Sequence, residues 1–309
     1  MNSRHRLRLG TRASALARWQ AEWVAARLAE VGVQVELVPI STEGDQEQQK
    51  PLGQIGGEGL FTKEIQRALL DGRVDLAVHS LKDLPTVAVP GLVLAAVPPR
   101  ESPGDVLISR NGETFTQLST GAKLGTGSLR RRAQLLHARP DLNMRDVRGN
   151  VDTRLRKLQS GEYDALVLAE AGIRRLELTQ HITEALPKSL MMPAVGQGAL
   201  GLETRTDDDA TRQALTALND PDTHASVLAE RALLAALRGG CLAPVGAWGR
   251  LEADGQLHLD ATVLSADGKI RLVAAGSASP DEAEELGRTT AGQLIAQGAS
   301  ELISDSRGG

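Results

Sequence analysis

The sequence is poor in cysteine and in aromatic residues, and each shortage excludes a class of protein. Cys241 is the only cysteine among 309 residues, which excludes an intrachain disulfide framework and a cysteine-rich metal site. Phenylalanine, tyrosine and tryptophan make up 2% of the chain, so few rings are present for stacking on nucleic-acid bases. The six histidines are scattered, and we therefore predict no metal site.

Long apolar runs and a strong charge of either sign are also absent. No run approaches the roughly 20 apolar residues of a membrane-spanning helix, and the basic residues 1–8 lead into a glycine turn rather than an apolar signal segment. The net charge of -4 favours neither nucleic acid nor an anionic membrane as a partner. We therefore expect a cytoplasmic protein without nucleic-acid or membrane partners. A monomer is the expected state, although the sequence leaves oligomerisation open.

Segments with strand-like and helix-like spacing alternate along the chain. Residues 7–10 and 35–40 have the composition of strands. The residues between them that have the spacing of one helical face are Leu16, Trp19, Trp23 and Ala26. This alternation predicts an α/β fold with mostly parallel sheets, and the same pattern beyond residue 247 predicts a small α/β domain at the C-terminal end. Residues 41–59 are polar and glycine-rich, without either periodicity.

Two stretches of the chain recur further along in the same order. LGTRASALARWQ from Leu9 resembles LGTGSLRRRAQ from Leu124, and DGRVDLAV from Asp71 resembles SGEYDALV from Ser160. The recurrence predicts two similar lobes. Because parallel sheets bind ligands beyond the carboxyl ends of their strands, we expect the two lobes to face each other across a cleft that grips small anions.

Proline- and glycine-rich passages at residues 98–104 and 193–198 are the best candidates for crossings between the lobes. Residues 200–203 resemble a strand that returns to the first lobe. We therefore predict a first lobe of residues 1–98 and 199–218 and a second lobe of residues 104–193. The C-terminal domain, residues 222–309, then carries Cys241.

The strongest candidate for a catalytic position follows the apolar run of residues 76–78. Ser80, Lys82 and Asp83 place a hydroxyl, an ammonium and a carboxylate within four residues, and Pro85 then ends regular structure. Taken alone, a solvated polar turn is the commoner interpretation. The repeat places this turn at the edge of the expected cleft, which favours a functional role.

A basic stretch is the candidate for anion binding. Residues 123–157 contain ten lysines and arginines but three aspartates. Arginines in the first turn of a helix oppose its dipole, and they are favourable there when an anion lies between them. The arginines placed at two predicted helix starts are Arg130 and Arg131, after the predicted cap residue Ser128, and Arg148 and Arg154. From spacing alone, a solvated basic face and an anion site stay equally open.

Neither glycine-rich passage matches a nucleotide-binding loop. The GxGxxG pattern fails at Arg130, and residues 53–59 have no following Lys-Ser/Thr pair. A ligand with several carboxylates is therefore favoured over ATP or NAD. Cys241 lies on a Gly-Gly turn, where it is either a small buried apolar residue or the carrier of a covalent group.

Eight motifs in one order resemble the porphobilinogen deaminase family, whose members are also called hydroxymethylbilane synthases. The motifs are TRASALARWQ, GGEGLFTKE, DLAVHSLKDLP, GTGSLRRRAQL, RGNVDTRL, GEYDALVLAEAG, PAVGQGALGLE and AERALLAALRGGCLAPVGA. The resemblance implies two lobes like those of periplasmic binding proteins and a C-terminal α/β domain. It also implies a transferase of tetrapyrrole biosynthesis that joins four porphobilinogen molecules head to tail, with loss of ammonia, to give hydroxymethylbilane.

The resemblance implies roles for individual residues. Asp83 matches the catalytic aspartate, and Cys241 matches the cysteine that holds a dipyrromethane cofactor through a thioether. The implied cofactor contacts are Ser80, Lys82, Ser128, Arg130 and Arg131. The residues implied to bind substrate are Arg12, Ser14, Arg148, Arg154, Arg175 and Gln197, the last on the hinge motif.

Two residues depart from the family pattern, and two other functions stay open. Glu58 stands where lysine is common, so that loop is assigned no cationic contact. Glu170 stands where a small residue is common, and it is either a surface change or an acid near the basic cleft. A non-enzymatic clamshell that binds carboxylates needs neither Asp83 nor Cys241, and a ligand-sensing regulator needs a DNA-binding module, for which the sequence has no candidate.

Overall fold

The computed structural model describes residues 6–42, 59, 62–240 and 243–308. The chain forms two compact units, of which the first combines Met1–Glu101 with Ala199–His224. The second combines Ser102–Gly198 with Ala225–Gly309. Among the described residues, no helix is both long enough and apolar enough to cross a membrane.

The helices and strands of the described residues alternate in the order that the sequence predicts. The first are β1 (Arg6–Thr11), α1 (Ala15–Glu30), β2 (Gln34–Pro39), α2 (Lys63–Leu70), β3 (Leu76–Ser80) and β4 (Leu92–Ala96). Next come β5 (Asp105–Ser109), β6 (Lys123–Gly125), α3 (Leu129–Ala138), β7 (Asn143–Arg145), α4 (Val151–Gln159), β8 (Ala165–Ala169), α5 (Glu170–Arg175) and β9 (Glu184–Leu186). The last are β10 (Leu200–Arg205), α6 (Asp209–Thr216), α7 (Pro221–Ala236), β11 (Val245–Leu251), β12 (Leu257–Leu264), β13 (Arg271–Ala278), α8 (Ala283–Ala296) and α9 (Ala299–Gly308).

Two five-stranded sheets have the same topology. Their strand orders are β2-β1-β3-β10-β4 and β7-β6-β8-β5-β9. In each sheet the first three strands are parallel, as predicted, but the last two pairings are antiparallel. The antiparallel strands β10 and β5 directly follow the crossing segments, so no helical crossover constrains their direction. The predicted return of the chain to the first sheet is confirmed.

The hydrogen bonds that begin the third strand of each sheet confirm the sequence repeat. In the first unit the Arg8 N–H donates to Asp75 Oδ2 at 2.9 Å, and the Asp75 N–H donates to the Arg8 carbonyl at 2.8 Å. In the second unit Lys123 and Asp164 exchange the same two bonds, both at 2.9 Å. The two aspartates of the repeated motif therefore serve one purpose, which is to fix the register of adjacent parallel strands.

A third sheet, with the antiparallel order β11-β12-β13, forms the predicted C-terminal α/β domain. Helix α8 packs its apolar face on this sheet, where Leu286, Ala291 and Leu294 are buried. Helix α9 was not predicted, because it contributes little more than Leu302 and Ile303 to the core and has no clear periodicity. The predicted α/β class, with two similar lobes and a small C-terminal domain, is confirmed.

We expect the substitution Asp75→Asn to destabilise the first unit. Asp75 accepts hydrogen bonds from Arg8 Nη2 at 2.7 Å and Nε at 3.0 Å, and Arg205 Nη2 lies 3.4 Å away. Burial alone would raise the pKa of Asp75, but the bonds from Arg8 and Arg205 outweigh burial and lower it. The loss at neutral pH should be about 1–2 kcal/mol, discounted for the partial exposure of Arg8.

The loss of stability in Asp75→Asn should depend on pH. Since the pKa of Asp75 is lower in the folded state, its contribution is fully present above the unfolded pKa of about 4 and is lost as the pH falls through the folded pKa. Urea unfolding of wild type and variant should therefore differ at pH 7, and the difference should shrink as the pH falls below about 4. The control is Asp71→Asn, because Asp71 pairs with Arg73 at 3.6 Å on the exposed surface. A constant difference across that range would contradict the role of the Asp75 charge.

Candidate functional site

The turn after β3 presents Lys82 and Asp83 from a firmly held backbone. Strand β3 is buried, and residues Leu81–Asp83 form one 3-10 turn. Leu81 is 1% exposed, and its N–H donates to the Ala199 carbonyl at 3.0 Å. Lys82 and Asp83 are half-buried, and among the described residues no cation forms an ion pair with the Asp83 carboxylate. An acid held in this way is available to a cationic ligand.

Ser80, at the end of β3, is tied to helix α1 by a residue that the sequence did not reveal. The Gln20 Nε2 donates to Ser80 Oγ at 2.9 Å, and Gln20 is 3% exposed. The predicted helix exists, and Trp23 of the predicted face packs against the core, but the fully buried face is a neighbouring one. The buried residues of α1 are Gln20, Ala21, Val24 and Leu28, whereas Ala26 is exposed. The tryptophans dominated the apolar pattern, and the i, i+4, i+8 spacing of Gln20, Val24 and Leu28 was the signal overlooked.

Arg12 and Ser14 lie at the carboxyl end of β1, beside the carboxyl end of the parallel strand β3. Ser14 is the N-cap of α1, and its Oγ accepts the Ala17 N–H at 3.3 Å. Thr11 instead donates its hydroxyl to the Ala17 carbonyl at 3.0 Å. Arg12 is half-buried. The first unit therefore brings its predicted site residues to one edge of one sheet.

In the second unit, Arg130 and Arg131 are buried at the start of α3. Ser128 is the N-cap, as predicted, and accepts the Arg131 N–H at 3.5 Å. Asp105, which is fully buried, forms ion pairs with both arginines: Arg130 Nη1 at 2.8 Å and Arg131 Nη2 at 2.7 Å. Asp105 is not among the site residues predicted from the sequence. The available signal was a charged residue opening the otherwise apolar strand β5.

Gln197 belongs to the same buried network. Its Nε2 donates to Asp105 Oδ1 at 3.0 Å and to the Pro103 carbonyl at 2.7 Å, and its Oε1 lies 3.5 Å from Arg131 Nη2. The segment before it is held by the buried Glu230 of α7, which accepts the Gly196 N–H at 2.6 Å. Gln197 therefore stabilises both the acid and one of its arginines.

The other predicted arginines of the second unit are Arg148, Arg154 and Arg175, and positive charge accumulates around Arg154. Arg154 donates its Nε to the Gly149 carbonyl at 2.8 Å. Burial, followed by the positive charges of Arg131 and Arg148, lowers the pKa of Arg154 to about 10. Burial also lowers the pKa of Arg148. Arg175 is 8% exposed, and its Nη2 donates to the Gly198 carbonyl at 2.7 Å. Arg131 and Arg148 are each close enough to repel the charge of Arg154, which favours a bound anion.

The position of Glu170 resolves one of the two departures from the family pattern. Its Oε1 lies 2.6 Å from Arg174 Nη2, one helical turn away, and its Oε2 accepts the Ser102 hydroxyl at 2.5 Å. Burial would raise the pKa of Glu170, but these two partners lower it. Glu170 is thus an ionised residue neutralised by its own ion pair, rather than an acid added to the arginine cluster.

Cys241 and Glu58 lie outside the described residues, so the geometry that can be compared with a cofactor is that of the arginines. Arg130 is 3% exposed, and among the described residues its buried Nε has no hydrogen-bond acceptor. Burial lowers the pKa of Arg130, although Asp105 partly offsets that effect. An unsatisfied donor at a helix N-terminus with excess positive charge fits a ligand that carries carboxylates.

Comparison with known proteins adds an independent finding. A family model described as "Porphobilinogen deaminase, dipyromethane cofactor binding domain" matches residues 7–213, and its C-terminal domain counterpart matches residues 224–296. The porphobilinogen deaminase of Syntrophotalea carbinolica is 49% identical over 96% of this chain and 95% of its own. That of Geobacter sulfurreducens is 49% identical over 97% and 95%. Among solved structures, the methionine binding protein MetQ covers 69% of this chain and 89% of its own, with 14% identity and a TM-score of 0.44.

Proposed function

This chain belongs to the porphobilinogen deaminase family. We propose that an acid in the first unit takes part in catalysis and that arginines in the second unit bind carboxylates. The protein is a transferase that deaminates porphobilinogen and joins four molecules head to tail, releasing hydroxymethylbilane for tetrapyrrole biosynthesis. The observation that carries the proposal is the buried arginine cluster, because porphobilinogen and its oligomers carry an acetate and a propionate on every ring.

Asp83 is the proposed catalytic residue. Loss of ammonia from porphobilinogen gives a cationic azafulvene, and a nearby carboxylate stabilises that charge. The same carboxylate accepts hydrogen bonds from pyrrole N–H groups and exchanges protons with the reacting ring. The half-buried position of Asp83, without an ion pair to a described residue, supports this assignment because the charge is not already neutralised.

The cofactor is a dipyrromethane, which when bound supplies the pyrrole carbon to which the first porphobilinogen unit is joined. Cys241 is the proposed point of attachment, through its sulfur. Ser128, Arg130 and Arg131 bind cofactor carboxylates at the N-terminus of α3, and Ser80 and Lys82 hold it from the turn after β3. The unsatisfied Nε of Arg130 supports the role of that helix terminus.

The substrate carboxylates are assigned to the remaining cationic and polar positions. These are Arg12, Ser14, Arg148, Arg154, Arg175 and Gln197. Gln197 acts mainly by fixing Arg131 and Asp105, since both ends of its amide contact protein groups. The lowered pKa of Arg154, which burial and two neighbouring guanidinium groups cause, supports direct contact with an anion.

The three-domain division is also part of the proposal: residues 1–98 with 199–218, residues 104–193, and residues 222–309. The match of separate family models to residues 7–213 and 224–296 supports the last boundary. A monomer in the cytoplasm is the proposed working state. Light scattering during size-exclusion chromatography would test the monomer, and a mass of two or more chains would contradict it.

Incubation with porphobilinogen tests the function directly. The purified protein is expected to release ammonia and to form hydroxymethylbilane, followed by its cyclisation to uroporphyrinogen I. A non-enzymatic binder of carboxylates would leave porphobilinogen unchanged. Saturable binding without consumption would therefore favour the clamshell binder over the transferase.

We expect Arg154→Leu to weaken substrate binding without lowering stability. Loss of a charge-assisted hydrogen bond worth about 1.5–3 kcal/mol should raise KM for porphobilinogen about 10- to 100-fold. Since the pKa of Arg154 is lower in the folded state, its charge destabilises that state at every pH where the residue is protonated. The melting temperature at pH 7 should therefore stay constant or rise.

The matched control is Arg156→Leu, because Arg156 lies on the same helix but is exposed and bonds only locally to Thr153. Steady-state kinetics and thermal unfolding of both variants give the comparison. A fall in melting temperature for Arg154→Leu with an unchanged KM would identify Arg154 as a structural residue instead.

A further inference from the structure

Asp105 is an acid that forms ion pairs with two arginines of the proposed cofactor site, and it differs from the surface acids in its burial. Its carboxylate is fully buried and contacts both Arg130 and Arg131. One carboxylate between two guanidinium groups leaves a net positive charge in the interior. Such an arrangement seldom stabilises a fold beyond what apolar residues of the same size would achieve. A reason other than stability is therefore required.

The internal repeat supplies a comparison within the same chain. Asp105 and Leu200 occupy equivalent positions, because each pairs with the last residue of the neighbouring strand: Ala169 at the end of β8 and Ser80 at the end of β3. In the first unit, the first residue of the equivalent strand is therefore apolar. The topology by itself does not demand an acid at this position.

The helix facing that position changes together with the acid. Two and three residues after the N-cap, α3 carries Arg130 and Arg131, whereas α1 carries Leu16 and Ala17. The two copies of the unit therefore hold either an acid with two arginines or three apolar residues. The acid is present in the unit that has the arginines and absent from the other, which indicates that its role is tied to them.

The contacts show how Asp105 acts on each arginine. Arg131 is held at all three nitrogens, since Nε and Nη2 bind Asp105 Oδ1 at 2.9 and 2.7 Å and Nη1 donates to the Val167 carbonyl at 3.1 Å. Arg130 donates its Nη1 to the Met192 carbonyl at 2.5 Å, and the same nitrogen forms an ion pair with Asp105 Oδ2 at 2.8 Å, while its buried Nε has no acceptor among the described residues. One guanidinium is fixed in place, and the other keeps an unsatisfied donor.

We propose that Asp105 is a positioning residue: its buried carboxylate fixes Arg130 and Arg131 at the N-terminus of α3 so that they present positive charge to the carboxylates of the cofactor. The inference rests on the proposed function, because it names what orients the anion-binding arginines of that site. A displacement of about 1 Å at such a position is expected to lower turnover by as much as 10²-fold.

The first test is Asp105→Asn, which removes the charge and keeps the shape. The fraction of molecules that carry the covalent cofactor is measured by intact mass, and kcat is expressed per loaded molecule. We expect kcat per loaded molecule to fall about 10- to 100-fold. The control is Asp141→Asn, because Asp141 pairs with Arg139 at 2.7 Å at the surface of the same unit; its turnover should stay within about twofold of wild type. A similar result for Asp105→Asn would overturn the proposal.

A second variant decides the case in which Asp105→Asn does not fold. Asp105→Glu keeps the charge that neutralises the arginines but displaces it by one methylene group. If Asp105 only neutralises charge, this variant should match wild type per loaded molecule, and that result would overturn the positioning role. If Asp105 positions the arginines, turnover should fall about tenfold or more. If neither variant folds, Asp105 is required for the fold itself, and the proposal is also overturned.

A third measurement does not depend on turnover. Nitrogen-15 spectra follow the Nε–H group of Arg131, assigned by its loss in Arg131→Lys, and we expect its hydrogen exchange to become about tenfold faster in Asp105→Asn, because a charge-assisted bond is replaced by a neutral one. Unchanged exchange would contradict the hold of Asp105 on Arg131. If wild type forms no bilane, the proposed function fails, and this exchange rate still reports separately on Asp105.

Discussion

Replacing Asp83 with asparagine is expected to reduce kcat for hydroxymethylbilane formation by about 10²- to 10⁴-fold, the range associated with loss of a positioned acid–base group. The amide keeps the size of the side chain and its ability to accept a hydrogen bond from a pyrrole N–H. It cannot stabilise the positive charge of the azafulvene or accept a proton from the reacting ring. The loss should therefore appear in kcat more than in KM.

The structure predicts that this substitution leaves the fold intact. The turn is held by Leu81 and by its bond to Ala199, and the Asp83 carboxylate has no ion pair with a described residue. The melting temperature should stay close to that of wild type, because substitutions away from buried networks usually change stability by no more than about 0.5 kcal/mol. Asp209→Asn, at a side chain that is 90% exposed, is the control. Near-normal turnover of Asp83→Asn would show that its charge is dispensable.

The second large effect is expected for Cys241→Ser, which should remove both the covalent cofactor and all turnover. The intact mass of wild type is expected to exceed that of the chain by two porphobilinogen units less their ammonia, and the serine variant should have the mass of the chain alone. A hydroxyl is a much weaker nucleophile than a thiolate at neutral pH. Since Cys241 is the only cysteine, no other thiol can replace it.

Mass spectrometry of the denatured protein, combined with an assay for bilane, separates the possible outcomes. Active wild-type protein with an unmodified mass would contradict covalent attachment altogether. A serine variant that keeps the additional mass would place the attachment at another residue. Unloaded protein is also expected to be less stable than loaded protein, because the arginine cluster then lacks the anions that offset its repulsion.

The positions of the predicted site residues could be inferred where the pattern was local. Ser80, Lys82 and Asp83 follow an apolar run within a few residues, and that run became the buried strand β3 with the turn at its end. Ser128 could be recognised as an N-cap because a cap bonds to a backbone group three residues away. Local patterns such as these can be recognised in one sequence because the residues that form them are neighbours in the chain.

Partners that are distant in the chain could not be inferred in the same way. Asp105 reaches Arg131 across 26 residues, and Gln197 reaches Asp105 across 92. Nothing in the local pattern around β5 indicates which helix its first residue will meet. The burial of Gln20 was visible in the local spacing of α1, but its partner Ser80, 60 residues away, was not.

The sequence by itself determined the α/β class, the internal repeat and the chemical types of the residues at the strand ends, since spacing and composition act over a few residues. The tertiary structure decided that each lobe ends in antiparallel strands, that Glu170 is neutralised by Arg174, and that Asp105 holds two arginines. Those outcomes depend on which segments meet in three dimensions. A buried charge exists only where a distant partner neutralises it, and that pairing is a property of the folded chain.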